Sequence, residues 1–132
     1  MKNNNKIFEF KIGEYVRKFE IRDSHIGSFL VKDKIFNCIS SNHALEMLRK
    51  RNISKYHVFG SIVSLGEKLI EYNNNNKHIM ISDDDKGITT VFTIENYIVV
   101  IITIIDKGEE VYISRNSHKE TIIEKYKVRE VG

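Results

Sequence analysis

The sequence predicts an α+β domain: an N-terminal β-ribbon, two short helices, and then a four- to five-stranded antiparallel β-meander. Three observations lead to this prediction. Apolar residues alternate with polar ones within the first 39 positions, recur with helical spacing between residues 42 and 63, and then form β-branched runs separated by polar turns. The length of 132 residues fits one domain, and 41% hydrophobic with 30% charged residues is a globular composition.

The first strands are predicted from alternation. In residues 7–12, and again in residues 15–21, aromatic and aliphatic side chains share one face. Gly13-Glu14 between them begins with glycine, which is typical of a two-residue II′ turn. The next predicted elements are a loop and a short strand pair, over residues 23–27, 29–31 and 34–39.

Two short helices are predicted next, because the apolar spacing changes from two residues to three and four. Residues 42–51 form the first helix, with Ser40, Ser41 or Asn42 as its N-cap. Its last turn is basic, which suits the negative end of the helix dipole. Ser54 can cap the second helix.

The predicted meander consists of β-branched runs bounded by polar turns. They are residues 67–72, 78–82, 88–94, 97–105 and 109–115. The run over residues 97–105 is apolar on both faces, which predicts the central strand, and a tight turn at Glu95-Asn96 should precede it. Because Ile101 and Ile104 differ in parity, we expect them on opposite faces of the sheet.

The C-terminal tail is predicted as a short helix, because Ser117 and Glu120 have the spacing of a capping box. The single domain then divides into a ribbon extension (1–39), the helix pair with the meander (40–115) and the tail (116–132). No internal repeat or linker divides the sequence further.

Composition limits the location of the protein. Cys38 is the only cysteine, which suggests a reducing compartment, and we expect it to be a small buried hydrophobe. The longest apolar run, Ile98 to Ile105, is too short to span a membrane. No apolar segment of the signal-peptide kind follows the first lysines, so we expect a cytoplasmic protein without membrane contact.

Several motifs that carry chemistry are absent, among them GxxxxGK[ST], GxGxxG, HExxH and CxxC. The sequence therefore predicts no metal and no cofactor. Asp83-Asp84-Asp85 lacks the spaced ligands of a calcium loop and is predicted to be a turn of three solvated acids. The net charge of +3 permits contact with nucleic acid.

His43 is the residue that most suggests chemistry. It stands at the start of the first predicted helix, and Arg51 follows about two turns later, with Arg49 and Lys50 beside it. An imidazole exchanges protons near neutral pH, and a guanidinium holds a phosphate through two parallel hydrogen bonds. RNA supplies its own nucleophile, the 2′-OH, so such a set could cleave a phosphodiester without a metal. The plain alternative is a helix-start histidine followed by a solvated basic turn.

The stretch from Ser41 to Ser54, SNHALEMLRKRNIS, resembles the signature HALERMxxRGIS. That signature opens a family of small, uncharacterised bacterial and phage-borne domains, similar in layout to BrnT-type toxins and to the barnase–EndoU–colicin–RelE group of ribonucleases. The resemblance covers about residues 40–115 and implies a helix pair, a meander and metal-independent RNA cleavage. His43 and Arg51 match the signature. Met47 replaces its arginine and Asn52 its glycine.

Other candidate residues lie later in the chain. Tyr112 and Arg115 fall on the last predicted strand, where they could meet the basic end of the helix and bind substrate. The remaining histidines of the first hundred residues are expected to be surface or packing residues, because sequence spacing identifies no partner for His25, His57 or His78.

Three classes of function stay open, and one of them is a bare RNA- or DNA-binding module. The first is a toxin-like endoribonuclease in which His43 is general acid or base, Arg51 is catalytic, and Arg49 and Lys50 bind phosphate; its partners would be RNA and a cognate antitoxin. The alternative is a non-catalytic phage or mobile-element accessory protein that binds and modulates a host or defence protein. A ribonuclease should gather His43 and at least two cations in one concave patch, whereas a binding protein should expose an apolar patch or a sheet edge. The sequence leaves the oligomeric state open.

Overall fold

The computed structural model describes residues 6–12, 15–21, 25–75, 77–109 and 121–126. The elements within these ranges, in chain order, are β1 (Lys6–Ile12), β2 (Tyr15–Ile21), β3 (His25–Val31), β4 (Lys34–Ser40), α1 (Asn42–Lys50), α2 (Lys55–Val63), α3 (Lys68–Tyr72), β5 (His78–Asp83), β6 (Ile88–Glu95), β7 (Ile98–Asp106) and β8 (Thr121–Tyr126). No helix in these ranges is long and apolar enough to cross a membrane.

The strands form two sheets. β1 and β2 pair antiparallel as a separate ribbon, and the other six form one mixed sheet in the order β3-β4-β7-β6-β5-β8. The pairs β4–β7 and β5–β8 are parallel, and the remaining neighbours are antiparallel. The α+β class and the meander, which runs through β5, β6 and β7, are thereby confirmed. Within the predicted ribbon extension (1–39), β1 and β2 form a ribbon, whereas β3 and β4 belong to the large sheet.

The most apolar run of the sequence is a central strand, as predicted, because β7 lies between β4 and β6 and is buried from Val99 to Ile104. The expectation that Ile101 and Ile104 face opposite sides is wrong. Phe92 pairs with Ile101 and Val91 with Thr103, so Ile102 is an extra residue in the ladder. Such a bulge reverses the alternation of side chains beyond it. Both isoleucines therefore belong to the cluster beneath the helices, and Ile102 belongs to a smaller cluster with Met80 and Val91.

The start of α1 is fixed by this bulge. The backbone N–H of Ser41 donates to the Ile101 carbonyl at 2.9 Å, and the Ser41 hydroxyl donates to the Ile102 carbonyl at 2.7 Å. The same hydroxyl accepts the N–H of Ala44 at 3.0 Å, so Ser41 is the N-cap among the three predicted choices. Ser54 caps α2, as predicted, by accepting the N–H of Tyr56 at 3.1 Å.

All three helices pack on one face of the large sheet. Each contributes buried side chains to the cluster that holds the sheet residues Phe36, Phe92 and Ile101; these helix residues are Ala44, Leu48, Val58, Ile62 and Leu69. Apolar burial of this kind is the main favourable term in folding, at about 25 cal/mol per Å².

Three predicted elements are wrong. Residues 67–72 are not a strand, because Lys68–Tyr72 forms α3, which buries Leu69 against the sheet. Residues 121–126 are not helical, because they pair in parallel with β5, and Ile122 packs against the core. Part of the predicted loop 23–27 is strand, since β3 begins at His25 with a register shift before Gly27. In each case pairing or packing at long range outweighs the local signal.

The turn between β6 and β7 is displaced by one residue from its prediction. Glu95 pairs with Ile98, and the two loop residues are Asn96 and Tyr97, both with positive φ (51° and 61°), as in a I′ turn. Asn73 and Asn74 hold this turn, because their side-chain oxygens accept the N–H groups of Tyr97 and Asn96 at 2.9 Å each.

Several predictions fall outside the described residues. They are the turn at Gly13-Glu14, the strand over residues 110–115 with Tyr112 and Arg115, and the helix start at Ser117.

Candidate functional site

The residues predicted to carry chemistry lie along α1. His43 is exposed in its first turn, Arg49 and Lys50 are exposed in its last turn, and Arg51 is its C-cap. Because an α-helix rises 1.5 Å per residue, His43 and Arg51 are about 12 Å apart along the axis. The structure therefore brings the three cations together at one end of the helix and places His43 at the other.

Arg51 is engaged by protein groups. Its Nε and Nη2 donate to Oδ1 of Asp106 at 3.2 and 2.7 Å, and its Nη1 donates to the Met47 carbonyl at 3.4 Å. This pairing ties the end of α1 to the end of β7. The edge of the guanidinium best suited to a phosphate is thus occupied by a carboxylate.

The connection between α1 and α2 reverses the chain tightly. Asn52 has a φ of +55°, and its N–H donates to the Arg49 carbonyl at 3.0 Å. The N–H of Ile53 donates to the Leu48 carbonyl at 2.9 Å. Asparagine is one of the few residues other than glycine that enter this left-handed region readily. Asn52 therefore adopts a backbone conformation that glycine also enters readily.

Two grooves flank Asn52 and Ile53. The first, of about 470 Å³, lies between α1 and α2. Its apolar lining is Leu45, Leu48 and Ile53, and its polar lining is Arg49, Asn52, Ser54 and Lys55. Among the described residues that line it, none is acidic, so its cations, Arg49 and Lys55, are not balanced from within the groove. We call it the α1–α2 groove.

The second groove, of about 420 Å³, lies between the same loop and the β5–β6 turn. Arg51 and Lys86 contribute positive charge to it, and Asp85 and Asp106 contribute negative charge. These charges compensate one another, so the α1–α2 groove is the better of the two for a polyanion. His43 lines neither groove, so neither of them unites His43 with two cations, as was expected of a ribonuclease.

Sequence reasoning missed the contact between His57 and Asp83. His57 Nε2 lies 2.5 Å from Oδ2 of Asp83, and the other carboxylate oxygen accepts the N–H groups of Asp85 and Lys86 at 3.0 and 3.1 Å. Asp83 is only 4% exposed, so the predicted turn of three solvated acids is wrong at its first position, while Asp84 and Asp85 are exposed. Asp83 ends β5 on the face that α2 covers. Twenty-six positions separate the two residues, and no local spacing signals such a pair.

A second polar cluster connects α3 to β8. The Tyr72 hydroxyl donates to Oε1 of Glu124, and Lys68 Nζ donates to Oε2 at 3.0 Å. The hydrogen bond from Tyr72 is the main cause that lowers the pKa of Glu124 below its usual value. Desolvation, followed by this hydrogen bond, raises the pKa of Tyr72 to about 12. None of these three residues lines either groove, and the cluster acts as a structural connection between α3 and β8.

The remaining chemistry in the described part of the chain is limited. Cys38 is fully buried in the core, and this burial raises the pKa of its thiol to about 12, which leaves it protonated and unreactive. No group of three or more histidine, cysteine or carboxylate side chains within the described ranges could hold a metal ion.

Comparisons with known proteins identify no relative: no protein-family model, no curated protein and no solved structure matches the chain. The fold and the grooves define the molecule as an α+β protein with a six-stranded mixed sheet and a groove with two cations between α1 and α2. The resemblance of residues 41–54 to the HALERMxxRGIS signature stays a prediction.

Proposed function

We propose that this chain is a toxin-like, metal-independent endoribonuclease acting in the cytoplasm. The observation that carries the proposal is the concentration of cations between positions 49 and 55, beside a groove whose lining lacks acidic residues among those described. We call this surface, formed by Arg49, Lys50, Lys55 and the α1–α2 groove, the basic corner. A sugar–phosphate backbone is the polyanion that such a surface attracts.

In the proposed reaction, the 2′-oxygen of a ribose attacks the adjacent phosphorus. The P–O2′ bond forms and the P–O5′ bond breaks, which leaves a 2′,3′-cyclic phosphate and a 5′-hydroxyl. A base takes the 2′-OH proton, and an acid gives one to the departing 5′-oxygen. Arginine and lysine side chains stabilise the charge that develops on the non-bridging oxygens.

Two histidines are candidates for proton transfer. His43 is the one that the sequence signature implies. His57 stands two residues beyond Lys55, in the first turn of α2, and Asp83 holds its imidazole by one nitrogen. A carboxylate that orients an imidazole in this way is a common arrangement for general acid–base catalysis. To bind a phosphate, Arg51 would release the carboxylate of Asp106, and the phosphate would take its place.

Cleavage of labelled RNA by the purified protein, with and without EDTA, tests the proposal. We expect products with cyclic or 3′-phosphate ends and an unchanged rate in EDTA. Replacing the acid–base histidine, His43→Ala or His57→Ala, should lower the rate about 10²- to 10⁴-fold. His25→Ala, at an exposed histidine of β3, is the matched control and should cleave like wild type. RNA and tRNA that stay intact, with no effect of these variants on toxicity in cells, would overturn the proposal.

One observation favours the alternative, a non-catalytic accessory protein that binds a host or defence protein. Leu30 and Ile35 are cross-strand partners on the β3–β4 hairpin and are 66% and 64% exposed. β3 also ends the order of the described six-stranded sheet. If this alternative holds, wild type should leave RNA intact, and Leu30→Ser with Ile35→Thr should abolish co-purification of a partner. If the pair of substitutions leaves every captured partner in place, this surface is not the binding site.

A further inference from the structure

The basic corner continues onto an exposed aromatic ring. Tyr56 follows Lys55 in the first turn of α2 and is 62% exposed, which makes it one of the most exposed large apolar side chains of the described chain. Lys55 Nζ lies 5.3 Å from the centroid of its ring. Lys55 also lines the α1–α2 groove, so the same lysine contacts the ring and borders the groove.

These groups match the chemistry of a single nucleic-acid strand. A base presents a flat π-face that stacks on an exposed aromatic ring, and the phosphates on either side of it need cations. Arg49 and Lys55 provide two cations at the groove, and Leu45 and Ile53 add half-buried apolar lining. A duplex hides its base faces within the stack, so the ring offers it no equivalent contact.

We infer that the basic corner binds single-stranded RNA, with Tyr56 as the stacking platform for one base and with Arg49 and Lys55 as contacts to the adjoining phosphates. The inference rests on the proposed ribonuclease function, since it assigns the substrate of that enzyme as unpaired RNA. It also adds Lys55 and Tyr56 to the residues that bind substrate.

Binding can be measured separately from cleavage with a short, fluorescently labelled 2′-O-methyl oligoribonucleotide, which lacks the nucleophile. Fluorescence anisotropy should show tighter binding of this single strand than of the same sequence in a duplex. Tyr56→Ala should weaken binding about 5- to 150-fold, the scale of one lost base–aromatic stack. Tyr56→Phe keeps the ring and should bind like wild type.

Charge is tested by the double variant Arg49→Gln with Lys55→Gln. The negative slope of log K against log salt should become shallower by about 1.4, because each contact to a single-strand phosphate contributes about 0.7 to its steepness. The matched control removes two positive charges elsewhere, Lys32→Gln with Lys125→Gln, at exposed positions of the β3–β4 turn and of β8. It should leave the slope nearly unchanged. Thermal melting of each variant verifies that it is folded.

The outcomes separate this inference from the function on which it rests. If wild type cleaves RNA but Tyr56→Ala binds and cleaves like wild type, the inference is overturned and the ribonuclease stands. The inference is also overturned if the control charge variant makes the salt slope shallower by as much as the Arg49→Gln, Lys55→Gln variant does. If wild type binds the oligonucleotide through the corner but leaves RNA intact, the binding surface is supported and the ribonuclease fails. If it neither binds nor cleaves, both fail.

Discussion

Arg51 and Arg49 differ in what engages them, although they are two residues apart. Both Nε and Nη2 of Arg51 donate to Asp106, whereas Arg49 is exposed in a groove without acidic residues among those described. The arginine that the sequence signature marks is therefore compensated, and its neighbour is better placed to attract a phosphate. Asp106 acts as a competitor for any anion that approaches Arg51.

This competition leads to a prediction for Asp106→Asn. The amide keeps the shape of the side chain but loses the charge, so binding of the 2′-O-methyl oligonucleotide should tighten about 1.5- to 5-fold, the scale of a partly exposed ion pair. Asp84→Asn, which removes a charge of the same sign from the exposed pair with Lys107, is the control. Equal tightening in both variants would show that only net charge matters.

Cys38 leads to a second prediction at this scale. Its thiol is fully buried and its pKa is raised to about 12, so the native protein should not react with iodoacetamide at pH 8. In denaturant one thiol per chain should react. Because the folded pKa lies above the unfolded one, its contribution to stability is complete below the ordinary thiol pKa and is lost as pH rises towards 12. Rapid labelling of the native protein would contradict this burial.

At the scale of elements, α3 and β8 are held together by side chains that lie more than 50 positions apart in the sequence. Lys68 and Tyr72 are one turn apart on α3, and both donate to the single carboxylate of Glu124 on β8. The cluster stabilises a parallel strand that lies at the end of the described sheet, where β5 is its one neighbour. The docking of β8 should therefore depend on the charge of Glu124.

The direction of that dependence follows from the lowered pKa of Glu124. A carboxyl whose folded pKa is depressed stabilises the fold above its unfolded pKa, and this contribution is lost as pH falls through the folded pKa. The free energy of unfolding of wild type, measured by denaturant melts, should therefore fall as the pH is lowered. That of Glu124→Gln should fall less. Glu95→Gln, at an exposed carboxylate in the β6–β7 hairpin, is the control. Parallel pH curves for wild type and Glu124→Gln would refute the role of the cluster.

At the scale of the whole molecule, β7 connects the two parts of the core. On one side of the sheet, Ile101 and Ile104 pack beneath the helices; Ile102 belongs to the cluster with Met80 and Val91. The bulge at Ile102 also presents the carbonyl that receives Ser41 at the start of α1. One extra residue in a strand therefore sets both the side-chain faces of the sheet and the position of the helix that carries the basic corner.

Truncation of these isoleucines should be costly. Ile101→Ala and Ile104→Ala should each lower the free energy of unfolding by about 2–5 kcal/mol, since both side chains are fully buried and leave a cavity. Ile105→Ala, at a half-buried position of the same strand, is the control and should cost less. Equilibrium urea melts measure the difference. Near-neutral results at both buried positions would contradict the central placement of β7.

Much of the fold was predictable because its signals are local. Caps at Ser41 and Ser54 need only the residues of the first helical turn, and the apolar run of β7 reports its own burial. The same holds for the basic end of α1, where the cations that suit the helix dipole are adjacent in sequence. The sequence by itself therefore determined the order of the elements up to β7, apart from α3. It also determined that positive charge gathers at the end of α1.

Only the tertiary structure decided which groups meet. His57 and Asp83, and Tyr72 and Glu124, come together through sheet pairing and helix packing across 26 and 52 positions. Residues 121–126 become a strand because β5 provides a partner edge, although the local capping signal favours a helix. The physical reason is common to these cases: hydrogen bonds and apolar burial across the fold outweigh propensities worth about 1 kcal/mol or less per residue, and no short window of sequence contains both partners.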